Sequence, residues 1–303
     1  MDLWDRVKPT MPRHRKPVAR QTEVSDFPKL VGLAERPAAA YYPPTMAAAW
    51  ENAGGTSPRP VIVVPCFNEA DRLDVREMER LAASVDLWLV DDGSRDRTLE
   101  LIGSVAAGSG GRVKALTNPQ NLGKAETVRR RLADACAQGA QIVGFLDADL
   151  ATPVDEMLAL LNRLAAGHAE AVTAARVALS GRDIRRAGLR HYTGRIFSTI
   201  ASLALGCAYY DTQCGAKVFR NSARLRAALA EPFLSRWAFD VELLGRLLAG
   251  APGVAPLAPG ELVEYPLQTW HDIAGSKLST VDAWKAGAEL FLIWRDLRRR
   301  RNR

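Results

Sequence analysis

Short apolar runs alternate with amphipathic stretches through the middle of this chain. Residues 61–64 form a β-branched run ending at Pro65, the pattern of a buried strand. Leu73, Met78 and Leu81 then recur at helical spacing across 71–84. The alternation continues with strands over 87–90, 113–116, 141–146 and 169–174, and helices over 98–106, 124–138 and from Pro153 to about 166. Strand–helix alternation of this kind predicts an α/β fold: a mostly parallel sheet, right-handed crossovers, and helices on both faces. The second half is less regular, with helices over 192–205, 238–249 and 280–298 and a strand over 262–267. Residues 1–58, rich in Pro, Ala and basic side chains, read as a largely irregular extension with one short helix near 45–51. The expected organisation is therefore an extension over 1–58, a single catalytic domain over 59–280, and a basic amphipathic helix and tail over 281–303.

In open α/β sheets, ligands bind at the carboxyl ends of the strands. The polar clusters after Val64, Val90 and Leu146 all fall on that edge. Asp147-Ala148-Asp149 follows a buried strand, and two carboxylates so placed can share one Mg²⁺ or Mn²⁺. The same pair also fits solvated turn carboxylates or a helix cap before Pro153. Asp91 and Asp92 open a turn whose Gly93 permits a tight reversal; they suit ribose or base hydrogen bonds, or a capped Asp-Gly turn. Asn68 and Glu69, just after Pro65, can orient a nucleotide or simply begin a helix. Lys124 follows Gly123 at a helix start, where N–H groups and an ammonium meet phosphate. The full P-loop spacing is absent, which argues against a nucleoside triphosphatase.

Charge narrows the partners. The net charge is +7, but residues 1–30 carry seven Lys/Arg against four Asp/Glu, and 295–303 carry six Arg against one Asp. The body between is near neutral, so no nucleic-acid groove is expected. Basic ends suit an anionic membrane surface instead. The four cysteines form no CxxC pair, which points to a reducing compartment, with no disulfide framework or zinc site. No signal peptide and no membrane span are expected.

Taken in order, VVPCFNEADRL, VDDGSRDRT, NLGKAETVR and FLDADLAT resemble family 2 glycosyltransferases. YDTQCGAKVF, RWAFDVELL and WHDIAGSK resemble the dolichyl-phosphate β-glucosyltransferase branch of that family. The resemblance spans roughly 59–280 and implies a GT-A (Rossmann-like) fold. It implies that Pro65, Asn68, Glu69, Asp91, Asp92 and Lys124 belong to the donor edge. Asp147, Ala148 and Asp149 would engage ribose, diphosphate and metal. Arg176 matches an arginine after the fifth strand, and Arg190 an arginine in a loop near the acceptor. Asp211, Gln213, Lys217 and Lys277 fall in segments lining the reaction cleft, and Asp240 and Glu242 match an acidic pair. Three departures stand out: Ala216 replaces a Phe, Ala125 and Glu126 replace a glycine-rich stretch, and Ala151 stands where the mannosyl branch has Gln.

The implied reaction is inverting transfer of a hexose, glucose from UDP-glucose in the first instance, to a polyprenyl monophosphate. It would proceed at the cytoplasmic face of the membrane with peripheral contact. A divalent metal on Asp149 and Asp147 acts as Lewis acid, with Lys217 or Arg176 adding fixed positive charge. Asp240 positions groups if the acceptor is already anionic, or serves as base if the acceptor is a hydroxyl. That second case describes a soluble enzyme with a small-molecule or glycan acceptor. A catalytically silent sugar-nucleotide binder is a third reading, disfavoured by the intact acidic motifs. Trp284, Ala288, Phe291, Trp294 and Leu297 predict an apolar face on the last helix. That face either lies on a bilayer or packs on the core with a solvated basic end.

Overall fold

The computed structural model describes residues 59–185, 188–258, 260–272 and 280–302, with side chains from 195 onward in the first helix after the 186–187 gap and from 287 onward in the last. The expected short helix near 45–51, and Lys277, lie outside the described residues.

The expected alternation is present. Strands β1 (Val61–Cys66), β2 (Asp86–Asp91), β3 (Val113–Thr117), β4 (Ile142–Leu146) and β5 (Ala171–Ala175) are separated by helices α1 (Val75–Ala82), α2 (Thr98–Gly108), α3 (Lys124–Ala137) and α4 (Val154–Ala165). There follow β6 (Asp183–Arg185), α5 (Gly188–Leu205), β7 (Ala216–Arg220), α6 (Ala223–Leu229), α7 (Phe239–Ala249), β8 (Leu262–Pro266), β9 (Thr269–His271) and α8 (Thr280–Arg301). The main sheet is seven-stranded in the order β3-β2-β1-β4-β7-β5-β8. All its pairings are parallel except those of β7, which runs antiparallel to both β4 and β5. β6 and β9 form a separate parallel ladder.

Period-two alternation sorts β1 onto two cores. Ile62, Val64 and Cys66 face Met78, Leu81, Ile102 and Leu160 on one side. Val61 and Val63 face Val128, Leu132 and Phe239 on the other. Each fully buried Leu, Ile or Phe contributes roughly 1.5–3 kcal/mol, so the sheet is a rigid floor for whatever lies at its edge.

Two boundaries differ from expectation for local reasons. Helix α1 begins at Val75 because the N–H groups of Arg72 and Leu73 turn back to the Glu69 carbonyl, and the Asp74 carboxylate then caps the N–H groups of Arg76 and Glu77. Helix α5 begins early enough that Arg190, expected in a loop, sits in its first turn; its side chain is outside the described set.

Helix α8 corrects the expected phase of its apolar face. Leu290, Ile293 and Leu297 are the buried positions, packed with Ala201, Val241 and Leu244 from α5 and α7. A Cβ on Gly245 would collide with the Leu297 side chain, so that glycine lets α8 approach α7 closely. Phe291, expected on an apolar face that either meets a bilayer or packs on the core, is 58% exposed. Among the described residues no helix is long and apolar enough to cross a membrane.

Candidate functional site

The carboxyl edge of the sheet gathers the motif residues because β1 and β2 end level and the parallel β4 stops within two residues of them. Cys66 lies opposite Asp91 in the ladder, and β4 stops at Leu146 just before Asp147. The result is a cleft of about 270 Å³ lined by Pro65, Glu69, Asp92, Lys124, Asp147 and Asp149, with Cys66, Phe67 and Ala148 completing its wall. A larger depression of about 390 Å³ near Asp96, Arg97 and Glu100 offers less chemistry. There, Arg97 and Glu100 pair with each other, and Asp96 is occupied by the hydroxyl and N–H of Thr98.

Two of the sequence-predicted carboxylates are spent on the architecture of the cleft. Asp91 is buried and accepts the N–H groups of Gly93 and Ser94, which closes its own turn. Asp92, 2% exposed, accepts four hydrogen bonds: from Asn118 Nδ2, the Thr127 hydroxyl and Leu122 N at 2.9 Å each, and from Gly123 N at 2.8 Å. Four donors on one carboxylate fix the loop before α3 and aim Lys124 into the cleft. Asn68, at φ 54°, receives Arg95 N on its Oδ1 and donates its own N–H to the Ser94 hydroxyl, stapling the β1 and β2 loops together.

Inside the cleft, the Lys124 ammonium lies 2.5 Å from Asp147 Oδ1. Burial works against that charge, but Asp147, and after it Asp240, outweigh burial and hold the lysine above its usual range. Asp147 fits where it does because Gly215 has no side chain; a Cβ there would overlap the carboxylate. Oδ1 of Asp147 is buried and accepts no hydrogen bond, leaving the ion pair as its partner. Asp149 accepts Ala151 N at 3.1 Å, after Leu150 at the left-handed φ of 52°. Burial, reinforced by Asp147, pushes its carboxyl above the ordinary carboxylate range. Glu69 is also raised, first by burial; Arg72 offsets part of this, and Asp149 and Asp147 add to it. One oxygen of Glu69 is buried without a hydrogen bond. Carboxylates held this way favour an added cation. Cys66 is no nucleophile in this wall, because burial, then Glu69 and Asp91, push its thiol up to about 12.

Below the cleft lies a second ion pair. Lys217 is wholly buried on β7, its ammonium 2.6 Å from Asp240 Oδ1 and 2.7 Å from the Cys214 carbonyl. Both lysines stand over aromatic rings, Lys217 over Phe145 at 5.3 Å and Lys124 over Phe239 at 5.8 Å. Lys217 thus faces Asp240 rather than the open cleft. Glu242, on the same turn of α7, is structural: Arg246 holds it at 2.6 Å, and it accepts N–H groups from Leu234 and Ser235. Arg236 turns instead to the Leu122 carbonyl and covers Gly123.

Towards β5, Arg176 and Asp211 form a two-pronged pair, Nε to Oδ2 at 2.6 Å and Nη2 to Oδ1 at 2.7 Å. Arg176 also stacks on the Trp270 ring at 5.0 Å. Burial opposes its charge, yet Asp211 dominates and raises it. The Glu264 carboxylate supports this corner by accepting the N–H groups of Tyr210 and Asp211. Gln213 is half-buried in the turn between Asp211 and β7. Sequence reasoning missed Gly215, Phe145, Phe239 and Glu264. Glycine and phenylalanine beside a strand carry no chemical signal of their own, and Glu264 stands alone inside an apolar strand. That isolation is the one mark that could have exposed it.

Comparison with known proteins agrees with this geometry. The model for "Glycosyl transferase family 2" matches residues 61–225. A dolichyl-phosphate beta-glucosyltransferase of Trichomonas vaginalis is 30% identical over 247 residues, covering 76% of this chain and 69% of that one. An undecaprenyl-phosphate 4-deoxy-4-formamido-L-arabinose transferase of Pseudomonas paraeruginosa is 32% identical over 168 residues, 53% of this chain and 47% of the other. Among solved structures, glucosyl-3-phosphoglycerate synthase from Mycobacterium tuberculosis, in complex with Mn²⁺, UDP and phosphoglyceric acid, superposes with a TM-score of 0.60 at 21% identity over 84% of each chain. The matched stretch runs from β1 into α6 and so contains the whole acidic cleft; this chain belongs to glycosyl transferase family 2 and has the GT-A fold.

Proposed function

We propose that this protein transfers a hexose, with inversion, from a nucleoside diphosphate sugar to a polyprenyl monophosphate at the cytoplasmic face of a membrane, and that UDP-glucose is the donor. The observation that carries this reading is the meeting of Asp147, Asp149 and Lys124 in one cleft, with Arg176 near enough to Asp147 for their charges to interact. Relatives whose names specify dolichyl and undecaprenyl phosphates support the acceptor class.

The residues fit a divalent metal. Asp149 and Asp147 supply hard oxygen donors. Among the described residues no three His, Cys, Asp or Glu side chains converge into a closed ligand set. An open site completed by water and substrate phosphates is what Mg²⁺ and Mn²⁺ prefer. Bound there, the metal would offset charge on the diphosphate. Lys124 adds positive charge to the same leaving group from the start of α3. Pro65, Asn68 and Glu69 form the nucleotide side, on loops that Asp91 and Asp92 keep in place.

In the transfer, the acceptor oxygen forms a bond to the anomeric carbon as the bond to the donor phosphate breaks, and the electron pair leaves with the nucleoside diphosphate. A phosphate monoester is already anionic near neutral pH, so no proton need be taken. Asp240, clamped by Lys217, then orients rather than deprotonates. Lys217 acts through Asp240 and not on the leaving group. Arg176, prealigned by Asp211, attracts the acceptor phosphate.

The test is transfer of labelled sugar from UDP-glucose to a polyprenyl monophosphate with Mg²⁺ or Mn²⁺, and with EDTA as control. Metal-dependent label in the lipid is expected. Label appearing only in a soluble hydroxyl acceptor would overturn the acceptor assignment and make Asp240 the base to examine.

A further inference from the structure

Helices α5 and α8 pack against each other and on α7, and the sides they turn outward carry large apolar residues among their polar ones. On α5, Ile196 is 64% exposed, Ile200 44% and Leu203 74%. Their spacing of four and three residues puts them in one stripe along the helix. On α8, the buried ridge of Leu290, Ile293 and Leu297 leaves Phe291 58% and Leu292 40% exposed. Scattered apolar residues on a surface are ordinary, but a stripe on α5 beside two large exposed apolar residues on the adjoining α8 marks an interaction surface.

The charge on the same two helices selects the occupant. From Gly188 to Leu205 the sequence contains Arg190 and Arg195 and no Asp or Glu. On the part of α8 whose side chains are described, from 287 onward, both acids are engaged elsewhere. Glu289 accepts from Ser235 and the backbone behind it, and Asp296 is held by Arg300 at 2.6 Å. Arg295, Arg298 and Arg299 are exposed. Arg298 lies over the Trp294 ring at 5.0 Å, and that ring meets Phe291 at 5.7 Å. Exposed apolar residues, an indole and arginines, with both acids among the described side chains of these helices already engaged, match an anionic lipid surface: acyl boundary for the one, phosphates for the other.

The surface also has a direction. Arg195 of α5 stacks on Tyr210 at 4.3 Å. The next residue, Asp211, holds Arg176. The exposed stripe therefore borders the corner proposed to meet the acceptor phosphate.

We propose that the outward faces of α5 and α8 form one membrane-docking surface that seats this protein on anionic lipid. Ile196, Ile200, Leu203 and Phe291 enter the acyl boundary, and Arg195 and Arg298 lie at phosphate depth. This deepens the polyprenyl-phosphate reading and rests on it only for the reason a membrane is met.

The experiment is flotation of the full chain with vesicles of phosphatidylcholine alone or enriched in phosphatidylglycerol, without donor or acceptor. Wild type should float with the anionic vesicles. Ile200→Asp combined with Leu203→Asp, and separately Phe291→Asp, should weaken binding at least about tenfold, with unchanged thermal midpoints. Arg298→Glu with Arg299→Glu should weaken it most at low salt. These variants should still transfer sugar to a short-chain, water-soluble polyprenyl phosphate, and lose transfer to long-chain acceptor in vesicles. Vesicle binding undiminished by the α5 and α8 aspartates overturns the proposal. So does a shift from dimer to monomer in those variants with vesicle binding intact, which would make the face a contact between two copies. Wild type that floats yet transfers no sugar to any polyprenyl phosphate would instead remove the functional reading and leave the docking surface standing.

Discussion

The Lys124 ammonium lies 2.5 Å from Asp147 Oδ1, so one proposed metal ligand already holds a cation. Metal and ammonium compete for that oxygen, and a diphosphate arriving with the metal gives the ammonium a new partner. Lys124→Met should therefore bind Mn²⁺ alone more tightly than wild type does. It should bind UDP with Mn²⁺ about 10- to 100-fold more weakly, the worth of one charge-assisted hydrogen bond. Manganese titration followed by electron paramagnetic resonance, with and without UDP, reads both effects. Equal Mn²⁺ affinity in the two proteins would show that the ammonium does not compete.

Asp149 is kept above the ordinary carboxylate range by burial and by Asp147. Asp149→Asn should lower transfer about 100- to 1000-fold, since metal-held charge is worth several kcal/mol. The same change should raise the metal-free melting temperature by about 2–4 °C, because one of two crowded charges is gone. The sign with pH follows from the raised value. The wild-type proton contributes fully below the unfolded pKa, and that stability is lost as pH rises through the folded one. The melting gain of Asp149→Asn should thus be larger near about pH 8 than near about pH 5. Calorimetry at the two pH values, without metal, decides it.

The Lys217–Asp240 pair should show the asymmetry of buried ion pairs. Removing one partner strands the other charge in a dry site and costs about 3–5 kcal/mol. Lys217→Met should unfold at correspondingly lower denaturant. Lys217→Met with Asp240→Asn should regain most of that stability while transfer stays low. A double variant no more stable than the single would mean the two charges are not coupled.

Gly215→Ala places a methyl group against the Asp147 carboxylate. The fold should survive with a loss of about 1–3 kcal/mol from overpacking. Binding of UDP with Mn²⁺ should fall by about tenfold or more as Asp147 turns away. Calorimetric titration of the folded variant measures this, and unaltered affinity would show that Asp147 does not need its present position.

The first half of the fold was legible because most of its strands are apolar runs, β3 with its Lys114 aside, and its helices keep a clean period. Strand β7 was not: Lys217 and Arg220 leave only Val218 and Phe219 as an apolar run, and Lys217 is tolerated inside only because Asp240, 23 residues away, neutralises it. The phase of α8 was misjudged because both sides of that helix are apolar, one for the core and one left outward. At the site, the motif spacing pointed to the right edge of the sheet. What it could not convey is which carboxylates are committed. Asp92 looks as available as Asp149 in the sequence, and only the folded loop reveals the four donors that occupy it.

The reversed strand also dictates when this molecule can become itself. β4 and β5 are neighbours along the chain, but neither pairs with the other; β7 is wedged between them. Until the ribosome has released residues 216–220, the nascent sheet has two bare strand edges facing a gap. Gly215 and Lys217, which seat Asp147 and Asp240, arrive with the wedge. The seat of Asp147 and the bridge between β4 and β5 thus arrive together, with Asp240 and the edge strand β8 still to follow, so an interrupted chain is not a weak enzyme but a sticky one.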